Sequence, residues 1–223
     1  MRALREWLRA QEDVPLEEMS DFFTTRLGDY EAHMAHWRED YRRFARLFPA
    51  AAHDVLDLGC GTGLELDELL RLRPDLAVTG LDLCPAMLER LQAKHPGTRT
   101  LCGDYFACDL GREAWDAVIS FESLHHFAPE KKAGLYRRVR EGLRPGGVFM
   151  LCDYMACCEE EETLLRNICR EKRLKAGIPE GQFVHFDTPL TVPHELALLQ
   201  SAGFSRCTQA EGMQDAVLLL CER

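Results

Sequence analysis

Asp57, Asp82 and Asp104 each close a short apolar run, and the glycine-rich stretch Gly59-Cys60-Gly61-Thr62-Gly63 follows the first of them. Glycine lets the backbone turn sharply and lets a ligand approach without meeting a Cβ. The spacing excludes two familiar phosphate cradles. A dinucleotide loop, G-x-G-x-x-G, would need its third glycine at position 64, which is Leu64, and a P-loop would need a lysine that this stretch lacks. Asp57 beside the loop is a poor companion for a pyrophosphate and suits a cationic or amino-acid portion better. A carboxylate at Asp82 is placed to accept hydrogen bonds from a ribose diol, and one at Asp104 suits an exocyclic amine. Three acids in register with a glycine loop point to an adenosyl compound.

Two further groups carry reactive side chains. Glu122, His125 and His126 follow the apolar run 115–121, and each imidazole suits either a structural hydrogen bond or a contact with a reacting group. In Gly181–Thr191, Phe183, His185 and Asp187 alternate with Gln182, Val184 and Phe186. That pattern suggests an aromatic-lined pocket in which His185 pairs with Asp187 as a base. The ten cysteines are scattered, with no C-x-x-C, so neither a disulfide framework nor a zinc-ligand spacing is expected. Cys102, Cys152 and Cys221 sit in apolar runs and read as buried hydrophobes. The adjacent Cys157 and Cys158 form the one thiol pair that could take a thiophilic acceptor.

The elements that must position these groups follow from periodicity. Residues 3–48 read as helical with a break near Gly28-Asp29, and Tyr30, Met34, Trp37, Tyr41, Phe44 and Phe48 form one amphipathic stripe that Pro49 closes. From residue 53, strands at 54–58, 77–81, 99–102, 115–120, 146–152, 204–209 and 215–221 alternate with helices at 63–72, 85–95, 129–142, 159–175 and 192–201. Pro85, Pro129 and Pro193 fall in first turns, where a missing N–H costs nothing. Gly142, Gly177 and Gly203 follow helical stretches and are expected as left-handed caps. The alternation predicts an α/β chain with a mostly parallel sheet covered on both faces, whose ligands bind beyond the carboxyl ends of the strands. The expected organisation is a helical cap segment, 1–48, on a binding domain, 49–223, in one compact unit.

Composition sets the class. With 223 residues, 46% hydrophobic and 29% charged, the chain is long enough to bury a core. Its net charge of −10 works against nucleic acid. The arginines at 137, 138 and 140 and the basic set at 166–175 read as solvated helix faces, and Glu159–Glu162 as an acidic first turn. The longest apolar run, Ala216–Cys221, is far short of the ~18 residues of a membrane span. The first residues show no apolar stretch of signal-peptide length, so a reducing, cytoplasmic setting is expected, as a monomer or a homodimer.

Residues 54–153 resemble the core of the class I S-adenosylmethionine-dependent methyltransferases, small-molecule type. Val55–Gly63 is similar to that family's first motif and Leu81–Leu88 to its second. Trp115–Phe127 resembles the fourth-strand motif, and Leu143–Phe149 the stretch entering strand five. The resemblance implies a Rossmann-like sheet of seven strands with the last antiparallel, and S-adenosyl-L-methionine as cofactor. Gly59, Cys60, Gly61 and Gly63, with Asp57, would approach its methionine end and Asp82 its ribose. Leu83 and Met87 would border the adenosine, and Asp104 with Tyr105 would hold the adenine. Phe121 and Glu122 would contact cofactor or acceptor. Tyr30 either caps the sulfonium region, as a similar segment does in small-molecule members, or belongs only to the apolar stripe. Cys84 stands where the family often has serine. The resemblance implies in-line methyl transfer to a small acceptor. A tRNA-pathway enzyme (an RNA methyltransferase or a carboxy-S-adenosylmethionine synthase) and a non-catalytic cofactor-binding protein remain as alternatives. The slot after strand four holds Phe121-Glu-Ser-Leu124 rather than an Asn/Asp-Pro-Pro-aromatic tetrad, which counts against flipped-base chemistry.

Overall fold

The computed structural model describes residues 1–11, 13–179 and 181–223. Its centre is a seven-stranded sheet in the order β3-β2-β1-β4-β5-β7-β6. The strands are β1 (Asp54–Leu58), β2 (Ala77–Asp82), β3 (Arg99–Cys102), β4 (Trp115–Phe121), β5 (Leu143–Asp153), β6 (Arg206–Gln209) and β7 (Val217–Glu222). β1 to β5 pair in parallel, and β7 runs antiparallel to β5 and β6. The central strands are apolar on both faces, as a covered sheet requires. In β4, Val118 joins one core while Ala117, Ile119 and Phe121 join the other, and in β5 Phe149 and Leu151 oppose Met150 and Cys152.

Helices α4 (Leu64–Leu72), α5 (Pro85–Lys94), α6 (Pro129–Gly142), α7 (Glu159–Ala176) and α8 (Val192–Ser201) lie within about a residue of their sequence-read bounds. Pro85, Pro129 and Pro193 occupy their first turns. α6 and α8 are joined by a buried polar knot in which Lys132 Nζ and Tyr136 Oη both donate to the Glu195 carboxylate. The acidic run opens α7, and two of its members are capping groups rather than solvated ones. Glu161 accepts the Cys157 N–H at 2.7 Å, and Glu162 accepts the Thr191 N–H at 2.8 Å.

Four expectations are corrected. The N-terminal helix does not break at Gly28; α1 (Arg2–Ala10) and α2 (Met19–His33) are separate helices, and a 3-10 turn at Met34–Trp37 leads into α3 (Arg38–Leu47). Gly177 and Gly203 are left-handed, at φ 66° and 94°, but Gly142 is the helical last residue of α6, because β5 starts at Leu143. Cys102 is exposed rather than buried, since β3 is an edge strand. Cys207 and Cys221 are disulfide-bonded. They are direct partners in the β6–β7 register with Cα atoms 4.1 Å apart, a pairing that spacing alone does not reveal. Closing a loop of this length stabilises a fold by about 3 kcal/mol. Thiol titration of the unfolded, non-reduced protein should therefore find the eight free cysteines rather than ten; a count of ten would show the bond absent.

Candidate active site

The carboxyl ends of β1, β2 and β4 surround a cavity lined by Gly59, Gly61, Asp82, Tyr105 and Glu122. The glycine loop forms one end. The Gly59 N–H donates to Leu81 O at 2.8 Å, which folds the loop over β2. Gly59 has φ +72° and lies so close to Ser123 that a Cβ would fall 2.0 Å from its Oγ. Gly61, at φ +49°, faces the cavity, and a Cβ there would come within 3.5 Å of Tyr30 Oη. Asp82 sits mid-cavity. Its Oδ2 accepts the Gly61 N–H and its Oδ1 the Cys84 N–H, both at 2.8 Å. These bonds orient both oxygens, while burial pushes its carboxyl above the usual range. Leu83, Met87, Asp104 and Tyr105 line the far end. Asp104 accepts the Phe106 N–H at 2.8 Å, and Tyr105 shares a hydrogen bond with Ser123 at 3.1 Å. Side-chain-free backbone, then a carboxylate, then apolar and aromatic walls form a series that fits an amino-acid chain, a ribose and a purine.

Three expected contacts do not face this cavity. Asp57 is fully buried behind the loop beside Glu65, and burial with that neighbouring acid raises its pKa well above the carboxylate norm. Cys60 points into the core against Gly80, where a Cβ would meet its Sγ at 2.7 Å. Gly63 starts α4 at φ +73°, and its missing Cβ makes room for Leu91 instead of a ligand. Tyr30, Phe121 and Glu122 do line the cavity. Glu122 has φ +51°, an uncommon conformation for a residue with a side chain, and its Oε1 is buried without a hydrogen bond. Burial first, opposed by the nearby His125, pushes its carboxyl up to about 8.

A second cavity, of about 500 Å³, opens beyond Phe23, Tyr30, Glu122 and His126, which line both spaces. His33, His36, His125, His126 and His185 surround it. His125 Nδ1 lies 2.5 Å from Asp153 Oδ1, and its Nε2 is 3.5 Å from Asp187 Oδ1. Although burial opposes charge on His125, the two carboxylates hold its pKa well above the histidine norm. His126 Nδ1 is 3.1 Å from the same Asp187 oxygen, and burial beside His125 lowers its pKa. The expected His185–Asp187 pair does not form. Asp187 turns to the two imidazoles after strand four because Thr188 N–H donates to His125 O at 2.8 Å. His185 instead stacks on Phe22, ring centroids 3.5 Å apart, and burial drives its pKa down to about 3, so it stays neutral. The segment carrying it is tied to the N-terminus by His185 N–H to Glu17 O, 3.0 Å, and Met19 N–H to Phe183 O, 3.2 Å.

Sequence reading missed Asp153, Phe22, Phe23 and Arg26. Asp153 ends β5 in the way the other site acids end their strands, so the strand-end rule would have found it. Phe22, Phe23 and Arg26 enter only through the pairing of residues 17–19 with 183–185, which has no local signal. Arg26 lies over the Phe22 ring at 3.8 Å and bonds Glu17 at 2.6 Å.

Known proteins bear on this geometry. Residues 55–147 match the family model described as a methyltransferase domain. The chain is 37% identical over 113 residues to carboxy-S-adenosyl-L-methionine synthase of Campylobacter curvus, covering 49% of this chain and 47% of that one. It is 28% identical over 174 residues to malonyl-[acyl-carrier protein] O-methyltransferase of Herminiimonas arsenicoxydans, covering 77% and 65%. The chain thus spans about half the length of the first of these relatives. Human N-acetylserotonin methyltransferase, solved in complex with S-adenosylmethionine, shares the fold with a TM-score of 0.65 at 21% identity, covering 86% of this chain and 54% of that one. Residues 55–147 are thus similar to a methyltransferase domain, and the residues lining the cavity fit S-adenosyl-L-methionine, the cofactor of the class I methyltransferases.

Proposed function

We propose that the protein transfers a methyl group to a small polar acceptor bound in the histidine-rich cavity. The observation that carries this reading is the junction of the two cavities, where Phe23, Tyr30, Glu122 and His126 line both. A reacting atom there would face the loop end of the cofactor cavity. When bound, the cofactor supplies an electrophilic methyl group on a sulfonium, and the remaining work is alignment and exclusion of water. Gly59 and Gly61 admit the methionine end, Asp82 holds the ribose, Asp104 and Tyr105 hold the adenine, and Tyr30 covers the reacting end. The strap formed by residues 17–19 and 183–185 closes the outer wall. His125, His126 and Asp187 receive the acceptor's heteroatom, and His185 with Phe22 forms a neutral aromatic wall. Nucleic acid as acceptor is disfavoured by the charge of −10.

The identity to carboxy-S-adenosyl-L-methionine synthase favours a second reading, remodelling of the cofactor itself. A carboxylated sulfonium would call for a cationic partner at the junction. Arg26, the arginine among the residues lining the second cavity, is already held by Glu17, and the junction itself carries Glu122. Methyl-labelled cofactor incubated with a panel of small acceptors separates the readings. Label on an acceptor, with S-adenosylhomocysteine released, is expected; label retained in a modified cofactor would support the second reading. His126→Ala should lower kcat/KM roughly a hundredfold through misplacement of the acceptor. A change below threefold would remove His126 from the site.

A further inference from the structure

His125 Nε2, His126 Nδ1 and Asp187 Oδ1 converge at the wall of the second cavity, all within 4.8 Å of one another. The two nitrogens lie 3.5 and 3.1 Å from the shared oxygen. Donors held about 2.0–2.1 Å from a tetrahedral ion sit roughly 3.3 Å apart, so these two edges already have the dimensions of a metal shell. Two independent features support the same reading. His126 Nδ1 is buried in a side chain only 6% exposed, and its 3.1 Å approach to Asp187 Oδ1 lacks the geometry of a hydrogen bond. His125 Nδ1 is taken up by Asp153, which leaves Nε2 to face Asp187; a carboxylate behind an imidazole is how metal-ligating histidines are oriented.

We propose that His125, His126 and Asp187 hold a divalent transition-metal ion. Two imidazoles and one carboxylate suit zinc, cobalt, manganese or iron, whereas magnesium and calcium prefer all-oxygen shells. Three protein donors leave a coordination position open, as in zinc sites that bind substrate. The second cavity lies on that side, and there the ion would bind the acceptor's oxygen or nitrogen; this last step rests on the function proposed above. Asp187, the most exposed of the three at 40%, comes from the 181–191 segment, so the shell is complete only with that segment in place.

The test uses the full chain after chelation and dialysis. Cys157→Ser/Cys158→Ser serves as background, because that thiol pair, Cys157 exposed and Cys158 half-buried, is a competing soft site. Cobalt(II) titration followed by visible absorption should reach one ion per chain, with weak ligand-field bands and no thiolate charge-transfer band. Asp187→Ala and His126→Ala should each weaken binding more than about a hundredfold, and Asp153→Asn about 10- to 100-fold. Magnesium should not compete. Absence of cobalt or zinc binding, or binding that Asp187→Ala leaves unchanged, would overturn the proposal. Calorimetric titration of the same preparations with S-adenosylhomocysteine reports on the cofactor cavity independently, so failure of the metal site and failure of the methyltransfer reading are told apart.

Discussion

Lys132→Ala should destabilise the protein by about 3–5 kcal/mol, the usual cost of removing one partner from a buried ion pair. Lys132 and Glu195 have side chains 1% and 0% exposed, and the substitution leaves a buried carboxylate with Tyr136 as its remaining donor. For a chain of this size the loss corresponds to a fall in Tm of roughly 6–20 °C. The effect is not confined to stability. α6 follows the turn that carries His125 and His126, and α8 follows the segment that carries Asp187. The ion pair therefore clamps together the two elements that bring the histidine cluster into register. Urea denaturation measures the loss. Lys132→Met combined with Glu195→Leu should regain most of it, because replacing a buried pair with apolar groups is often neutral or better. A loss under about 1 kcal/mol in the single variant would mean that water reaches Glu195.

Asp82→Ala should lower affinity for S-adenosylhomocysteine roughly 10- to 150-fold. A hydrogen bond to a charged acceptor contributes about 1.5–3 kcal/mol, and Asp82 is the carboxylate that we propose holds the ribose hydroxyls. The backbone N–H groups of Gly61 and Cys84 hold it in place, so the variant also loosens the glycine loop. Gly61→Val tests the loop from the other side. It puts a branched side chain at φ +49°, aimed at Tyr30, and should weaken binding at least as much. Circular dichroism and a thermal melt check that both variants fold. Wild-type affinity in both would refute the assignment of the cofactor cavity.

The strands and the loop were legible because their signals are local. Apolar runs of strand length ended at Asp57, Asp82 and Asp104, and the glycines between them had no role in a solvated turn. Errors arose where a contact between distant segments decides the outcome. Gly28 costs a helix about 1 kcal/mol relative to alanine, yet α2 runs through it, with Phe23 and Tyr30 of that helix packed edge to face against one another in the cavity wall. The alternation of Phe183, His185 and Asp187 with Gln182, Val184 and Phe186 suggests an aromatic-lined pocket in which His185 pairs with Asp187. The segment makes a single bridge, Glu18 to Val184, and beyond it His185 stacks on Phe22 while Asp187 meets the two imidazoles. Asp57 is part of the motif but not of the cavity wall: period-2 alternation tells which residues share a face, not which end reaches the ligand. The Cys207–Cys221 bond needs the β6–β7 register, which two short strands joined by a loop do not announce.

The most direct test of the central claim is calorimetric titration of the purified protein with S-adenosylmethionine, S-adenosylhomocysteine and NAD. Micromolar binding of the first two and none of NAD is the predicted result, since we propose that Asp82 and the glycine loop form an adenosyl site, and the loop has no pyrophosphate cradle. Binding of NAD, or of none of the three, would contradict the account.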